Sequence, residues 1–206
     1  MRVAIVGGTG PFGRALASRL VDAGVEVVLG SRDEARARAA ARELGCIGAT
    51  NADASEDAEL VILAVNAEAA IDTARELSSA LGTKPVLSVA SELQFTKAGA
   101  HPSPDRVSLA ARIQAELAGP VVAGLHSLAA ASLGGEEPPD EDAFVCGDDD
   151  DAKALALEIA AQLTSGRALD AGPLASARAL EGLTAVIVNL NKRYKGHAGI
   201  RVTGLG

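Results

Sequence analysis

Apolar and polar positions along this chain alternate between two rhythms. Residues 2–6 form a short β-branched run ending in Gly7-Gly8, and over residues 14–23 apolar side chains recur at helical spacing, with Leu16, Leu20 and Val21 on one face. The pattern predicts a strand, a glycine turn and a helix. A second strand over 25–29 follows Gly24, which stops that helix, and Gly30-Ser31-Arg32-Asp33 leads into an Ala- and Arg-rich helix over 34–44 with Asp33 as its N-cap. Further strands are predicted at 47–49, 60–65, 85–89 and 121–124, with helices over 67–81 and 108–117. The run 60–65 is apolar throughout, as a parallel strand covered on both faces must be, which places it mid-sheet. Strands alternating with helices imply an α/β, doubly wound parallel sheet with right-handed crossovers.

Beyond a polar loop at 134–142 the pattern resumes with a strand at 143–146, a helix over 150–163 and a short strand at 168–170, read as additions to the same sheet. The acidic run Asp148 to Asp151 reads as a solvated turn and helix start. A last helix over 174–194 is apolar around much of its circumference and must pack on the sheet edge or on a partner subunit. The division expected is a dinucleotide domain with extended sheet over 1–172 and a small C-terminal helical lobe over 173–206, forming a cleft wall and a dimer contact.

Composition narrows the function classes. The 206 residues are 48% hydrophobic and 22% charged, and no apolar run approaches the roughly 20 residues that cross a bilayer. The start runs straight into glycines and lacks the form of a signal peptide, so a cytoplasmic protein is expected. Cys46 and Cys146 are read as packing residues, not a bridge or a metal pair. A net charge of −8 with three Phe, one Tyr and no Trp opposes nucleic-acid binding. No metal site and no catalytic triad is legible.

The chemistry concentrates in two loops. Gly8-Thr9-Gly10-Pro11-Phe12-Gly13 has G-x-G-x-x-G spacing between a strand and a helix, the context of a Rossmann dinucleotide site. A pyrophosphate there meets free N–H groups at the helix N-terminus. The second loop selects the dinucleotide. Where an NAD site carries Asp or Glu at the end of strand two, this chain has Gly30, then Ser31 and Arg32, with Arg36 one turn into the next helix. Hydroxyl and guanidinium groups suit a 2′-phosphate, so the cofactor expected is NADP(H). Thr9 either donates to the same phosphate or satisfies local backbone.

Several stretches resemble NADPH-dependent reductases of the deazaflavin coenzyme F420. They are Val3-Ala4-Ile5-Val6-Gly7-Gly8-Thr9-Gly10, Leu29-Gly30-Ser31-Arg32, Val145-Cys146-Gly147-Asp148-Asp149, Asp170-Ala171-Gly172-Pro173-Leu174 and Glu181-Gly182-Leu183-Thr184. The ending Asn191-Lys192-Arg193-Tyr194-Lys195-Gly196-His197-Ala198-Gly199-Ile200-Arg201-Val202-Thr203-Gly204 is similar to bacterial members. The resemblance implies reversible hydride transfer between nicotinamide C4 and deazaflavin C5 in a homodimer, with coenzyme F420 as co-substrate. It implies that Thr9, Ser31, Arg32 and Arg36 hold the 2′-phosphate and that Val65, Asn66, Ala67 and Ala90 join the glycine loop in holding the cofactor. Ser91, His126, Leu128, Arg178 and Thr184 would face the deazaflavin, His126 and Leu128 nearest the transferred hydride. Such chemistry requires positioning and exclusion of water rather than a nucleophile.

Some cleft loops differ from that family pattern. Asn66-Ala67 stands where a Pro-Trp pair is common, and Ser91-Glu92-Leu93 where Asn-Pro-Leu is common. Two further readings therefore stand beside the first: a reductase of the same fold acting on a flavin, imine or carbonyl, and a non-catalytic NADP-binding protein.

Overall fold

The computed structural model describes residues 1–205. Its strands are β1 (Arg2–Val6), β2 (Glu26–Ser31), β3 (Ile47–Thr50), β4 (Leu60–Leu63), β5 (Val86–Ser88), β6 (Leu93–Thr96), β7 (Gly99–Pro102), β8 (Val121–Gly124), β9 (Ala143–Gly147) and β10 (Ala168–Asp170). The helices are α1 (Pro11–Asp22), α2 (Glu34–Leu44), α3 (Asn51–Glu56), α4 (Ala67–Leu81), α5 (Leu109–Gln114), α6 (Ala130–Leu133), α7 (Asp150–Leu163) and α8 (Ala177–Tyr194). Eight strands make one sheet in the order β10-β9-β8-β5-β4-β1-β2-β3, while β6 and β7 form a separate antiparallel hairpin.

Alternation along β1 divides the core. Val3 and Ile5 pack under α1, α2 and α7, and Ala4 and Val6 pack under α3, α4 and α5. β4 lies between β1 and β5 with all four residues buried, the mid-sheet place its apolar run implies. The strand order reverses between β1 and β4, the switch point above which open α/β sheets bind ligands. No helix among the described residues is long and apolar enough to cross a membrane.

The expectation of an all-parallel sheet requires one correction: β9 runs antiparallel to β8. The segment between them holds only the single-turn α6, too little helix to carry the chain back across the sheet, so β9 begins at the edge where β8 ends. The β6–β7 hairpin and α3 are additional to the expected elements. Asp33 does cap α2, accepting from the Arg36 N–H at 3.1 Å, and Asp149 caps α7, accepting from the Ala152 N–H at 2.8 Å. Both cysteines are unbridged, Cys146 buried and Cys46 half-buried.

The antiparallel return places Glu141 and Asp142 beside the loop after β8, where Ser127 Oγ donates to the Asp142 carbonyl at 2.9 Å. The C-terminal tail crosses here. Asp142 accepts from Val202 N–H at 2.8 Å and pairs with Arg167 at 2.7 Å, which holds its carboxyl well below the usual range. Neighbouring Glu141 is 3% exposed under Gly199, neither carboxylate oxygen forms a hydrogen bond of good geometry among the described residues, and burial pushes its pKa up to about 7, the nearby Ile200 N–H opposing only in part. The two groups act in opposite directions. Asp142 contributes stability above its unfolded pKa that is lost as the solution becomes acidic. The folded state binds the Glu141 proton more tightly, so stability falls as pH rises from about 4.3 towards the folded value and is flat beyond it. Glu141→Gln is therefore expected to add about 2–3 kcal/mol at pH 8 and little at pH 4, raising the pH 8 melting temperature by roughly 5–10 °C. Thermal unfolding of both proteins at the two pH values checks this. An equal shift at both would contradict it.

Candidate functional site

Along the C-terminal edge of the sheet, four cavities join into one trench. The first, about 380 Å³, is lined by Gly7, Thr9, Gly10, Ser31, Arg32, Asp33, Arg36, Asn51, Ala64, Val65, Asn66, Ala69 and Thr73. It shares Gly10, Ala64, Val65 and Asn66 with a middle cavity of about 260 Å³ that adds Pro11, Phe12, Ala67, Val89, Ala90 and Ser91. Phe12, Val89 and Ser91 continue into an inner cavity of about 200 Å³ with Leu93, Leu125, His126, Leu128 and Thr184. An outer cavity of about 930 Å³ opens past Asn66, Ala67 and Ser91 between the start of α4 and the hairpin.

The glycine loop has the shape of a phosphate cradle. A Cβ added at Gly13 would lie 2.6 Å from Gly8 Cα, so α1 approaches the loop as only glycine allows. At Gly10 an added Cβ would meet only the Gly7 carbonyl at 3.6 Å, and this residue lines both the first and middle cavities. In the second loop Ser31 is buried and its Oγ accepts from the Asp33 N–H at 3.2 Å, leaving its own proton to donate. Arg32 and Arg36 are exposed at the cavity rim, and neither forms an ion pair among the described residues. Asp33, the one carboxylate of this loop, is engaged at the helix cap. These donors fit a dinucleotide carrying a 2′-phosphate.

At the other end, Ser91 Oγ and Thr184 Oγ1 lie 2.7 Å apart, and Thr184 Oγ1 donates to the His126 carbonyl at 3.0 Å. Thr184 has one proton, so Ser91 is the donor in the pair. β5, β8 and α8 are thereby tied at one point. His126 is 5% exposed, neither ring nitrogen forms a hydrogen bond of good geometry among the described residues, and burial pushes its pKa down to about 4, with the nearby Ala90 carbonyl opposing only in part. The ring is neutral near pH 7. Leu125 just before it adopts a left-handed φ of 64°, worth roughly 1–3 kcal/mol of backbone strain, and its N–H is fixed by the Phe144 carbonyl at 3.0 Å. A buried, unpartnered imidazole beside Leu128 and Phe12 suits a flat, mostly apolar ring with a polar edge.

Arg178 is placed differently from the rest. Its guanidinium is committed to the carbonyls of Ser103 and Asp105, the far wall of the outer cavity, so it shapes that wall and does not sit beside His126. Glu92 pairs with Arg112 at 2.6 Å, and Asp105 lies 3.5 Å from the same guanidinium. Asn51 lines the first cavity without having been singled out from sequence. Its sole local signal is Thr50, which caps α3 by accepting from the Asp53 N–H at 3.1 Å.

A family model described as NADP oxidoreductase, coenzyme F420-dependent, matches residues 2–92. Over the whole chain, this sequence is 34% identical to an F420-dependent NADP reductase of Methanothermobacter marburgensis, covering 99% of that protein. The chain belongs to the coenzyme F420-dependent NADP oxidoreductase family. It is likewise 34% identical over its full length to the enzyme of that name from Methanocaldococcus jannaschii. A crystal structure of a candidate F420-dependent NADP reductase from Arthrobacter sp. FB24 superposes with a TM-score of 0.85 at 26% identity, covering 99% of this chain and all of the other. In this member of the NADP oxidoreductase family, the trench places Asn66 where three cavities meet, Ala67 between the middle and outer ones, and Glu92 against Arg112 at the outer one.

Proposed function

We propose that this protein transfers hydride reversibly between NADP(H) and the deazaflavin coenzyme F420. The observation that carries the reading is the series of adjoining cavities from Arg32 and the glycine loop to the apolar cavity around His126, in a chain similar throughout to reductases named for these two molecules. When bound, the two coenzymes supply the redox chemistry themselves. The chain binds, orients and excludes water. Ser31 would donate to the 2′-phosphate while Arg32 and Arg36 add charge, and the N-terminus of α1 would face the pyrophosphate. Neutral His126 can donate one hydrogen bond and accept another without bringing a charge into the inner cavity. Phe12, Val89 and Leu128 supply apolar walls, and holding two rings in reacting register is the contribution such a site makes.

Residues 1–172 would thus hold the dinucleotide, with 173–206 closing the cleft through Thr184 and Arg178. The same lobe is proposed as the contact of a homodimer. Val186, Leu190 and Tyr194, at successive i+4 positions on α8, are 51%, 38% and 73% exposed, an apolar stripe that a second copy would cover. Leu190→Asp is expected to turn a dimer into a monomer in sedimentation, and a wild-type monomer would remove the proposal. Two unbridged cysteines suit a cytoplasmic setting.

Supplying purified protein with NADPH and oxidised coenzyme F420 tests the activity: matched loss of both absorbances is expected. NADPH binding without that loss would overturn it. The carboxylates of Glu68, Glu92 and Asp105 around the outer cavity, the last two sharing the single charge of Arg112, favour a second reading, an acceptor without an anionic tail such as an imine, carbonyl or simple flavin. Oxidation of NADPH by one of these alone would select it.

A further inference from the structure

Asn51 is held in place more firmly than a surface loop residue requires. It opens α3 directly after β3, is 7% exposed, and its carbonyl accepts from Ser55 Oγ at 2.8 Å. Its side-chain oxygen accepts the Gly7 N–H at 3.3 Å, across 44 residues of sequence, and Gly7 is the left-handed turn residue, at φ 75°, that starts the glycine loop. The same oxygen would lie 2.9 Å from a Cβ added at Gly30, so Asn51 also touches the loop carrying Ser31 and Arg32. One amide therefore meets both phosphate-recognition loops.

The orientation of this amide follows from chemistry. The Gly7 N–H is a donor and must be met by oxygen, which turns the amide nitrogen to the other side. Among the described residues that nitrogen donates to no protein group, and the residue lines the first cavity. We propose that Asn51 is a specificity-determining residue for NADP, its oxygen fixing the glycine loop and its NH2 group donating to the 2′-phosphate side of the adenosine ribose. This rests on the reading of that cavity as the NADP site. A carboxylate here would keep the acceptor for Gly7 but replace the donor by a second anion beside a phosphate, a substitution that favours NAD.

The experiment compares NADPH and NADH affinities, by direct titration without any acceptor, for the wild type, Asn51→Asp and Asn51→Ala. For Asn51→Asp the NADPH affinity is expected to fall tenfold or more with NADH changed less than threefold. Asn51→Ala, which leaves no charge, is expected to weaken both dinucleotides through the loop, NADPH at least threefold more than NADH. Should Asn51→Asp not fold, the alanine variant alone carries the comparison. Equal loss for the two dinucleotides would reduce Asn51 to a structural role and overturn the proposal. A wild type that binds no NADPH would overturn the cavity assignment with it, whereas failure to reduce coenzyme F420 would leave both standing.

Discussion

Arg32→Glu is expected to weaken NADPH binding by about a hundredfold while leaving NADH binding unchanged or improved. Arg32 is exposed at the rim of the first cavity and has no ion-pair partner among the described residues, so its charge is available to a ligand. A guanidinium hydrogen-bonded to phosphate contributes about 1.5–3 kcal/mol, and a carboxylate in its place adds repulsion of about 1 kcal/mol in a solvated setting. Their sum, about 3 kcal/mol, corresponds to roughly two decades of affinity. NADH has no 2′-phosphate to lose, and its ribose hydroxyls can donate to the new carboxylate. Titrations with both dinucleotides at low and high salt check this, because an exposed charge pair must weaken as salt screens it. Parallel losses for NADPH and NADH would mean that Arg32 acts on the loop and not on the phosphate.

The parts of the fold legible in sequence were those whose determinants are local. Glycine spacing after β1, the Asp33 cap and the apolar run of β4 each lie within a dozen residues, and each was found where expected. The β6–β7 hairpin was not legible. Its Phe95 is 72% exposed, so no buried face sets a period-two pattern, and its backbone is held by Asn189, whose side chain accepts from Ala100 N–H and donates to Ala100 carbonyl, both at 2.8 Å. That partner stands 89 residues away on α8. The direction of β9 was set by how little helix separates it from β8, a property of the connection and not of the strand's own residues.

The site followed the same division. Ser31, Arg32 and Arg36 were legible as neighbours in the loop that lines the first cavity, because an N-cap and one helical turn place them, whereas Asn51 and Glu181 look like ordinary polar residues until tertiary partners engage them. Arg178 was legible as a cation near the cleft but not as the support of residues 103–105, since carbonyl acceptors leave no mark in a sequence.

Glu181 carries the second large expected effect: Glu181→Ala should lower stability by about 3 kcal/mol, and the melting temperature by roughly 6–12 °C. The side chain is 4% exposed on α8, and its two oxygens accept from the N–H groups of Leu109 and Ala110, each at 3.0 Å. These are the first residues of α5, whose amides have no partner within their own helix. Burial pushes the Glu181 pKa up, with the two amides opposing, so the wild-type charge is already held at some cost. Removing it leaves two buried donors unmatched, each costing about 1–3 kcal/mol, which outweighs the desolvation relieved. Glu181→Gln keeps one acceptor but turns an NH2 group towards the other N–H, so its loss should fall between those of the wild type and the alanine variant. The functional consequence is separable from the proposed dinucleotide site. Glu181 sits one turn from Arg178 and Thr184, and it joins α8 to α5, while Arg32 and the glycine loop lie across the trench on β1, β2 and their helices. Hydride transfer should therefore fall in Glu181→Ala under conditions where the protein remains folded and still binds NADPH. An unchanged melting temperature would show that solvent satisfies the α5 amides, and that α8 is held by its apolar packing and its other polar contacts, those of Arg178, Thr184 and Asn189.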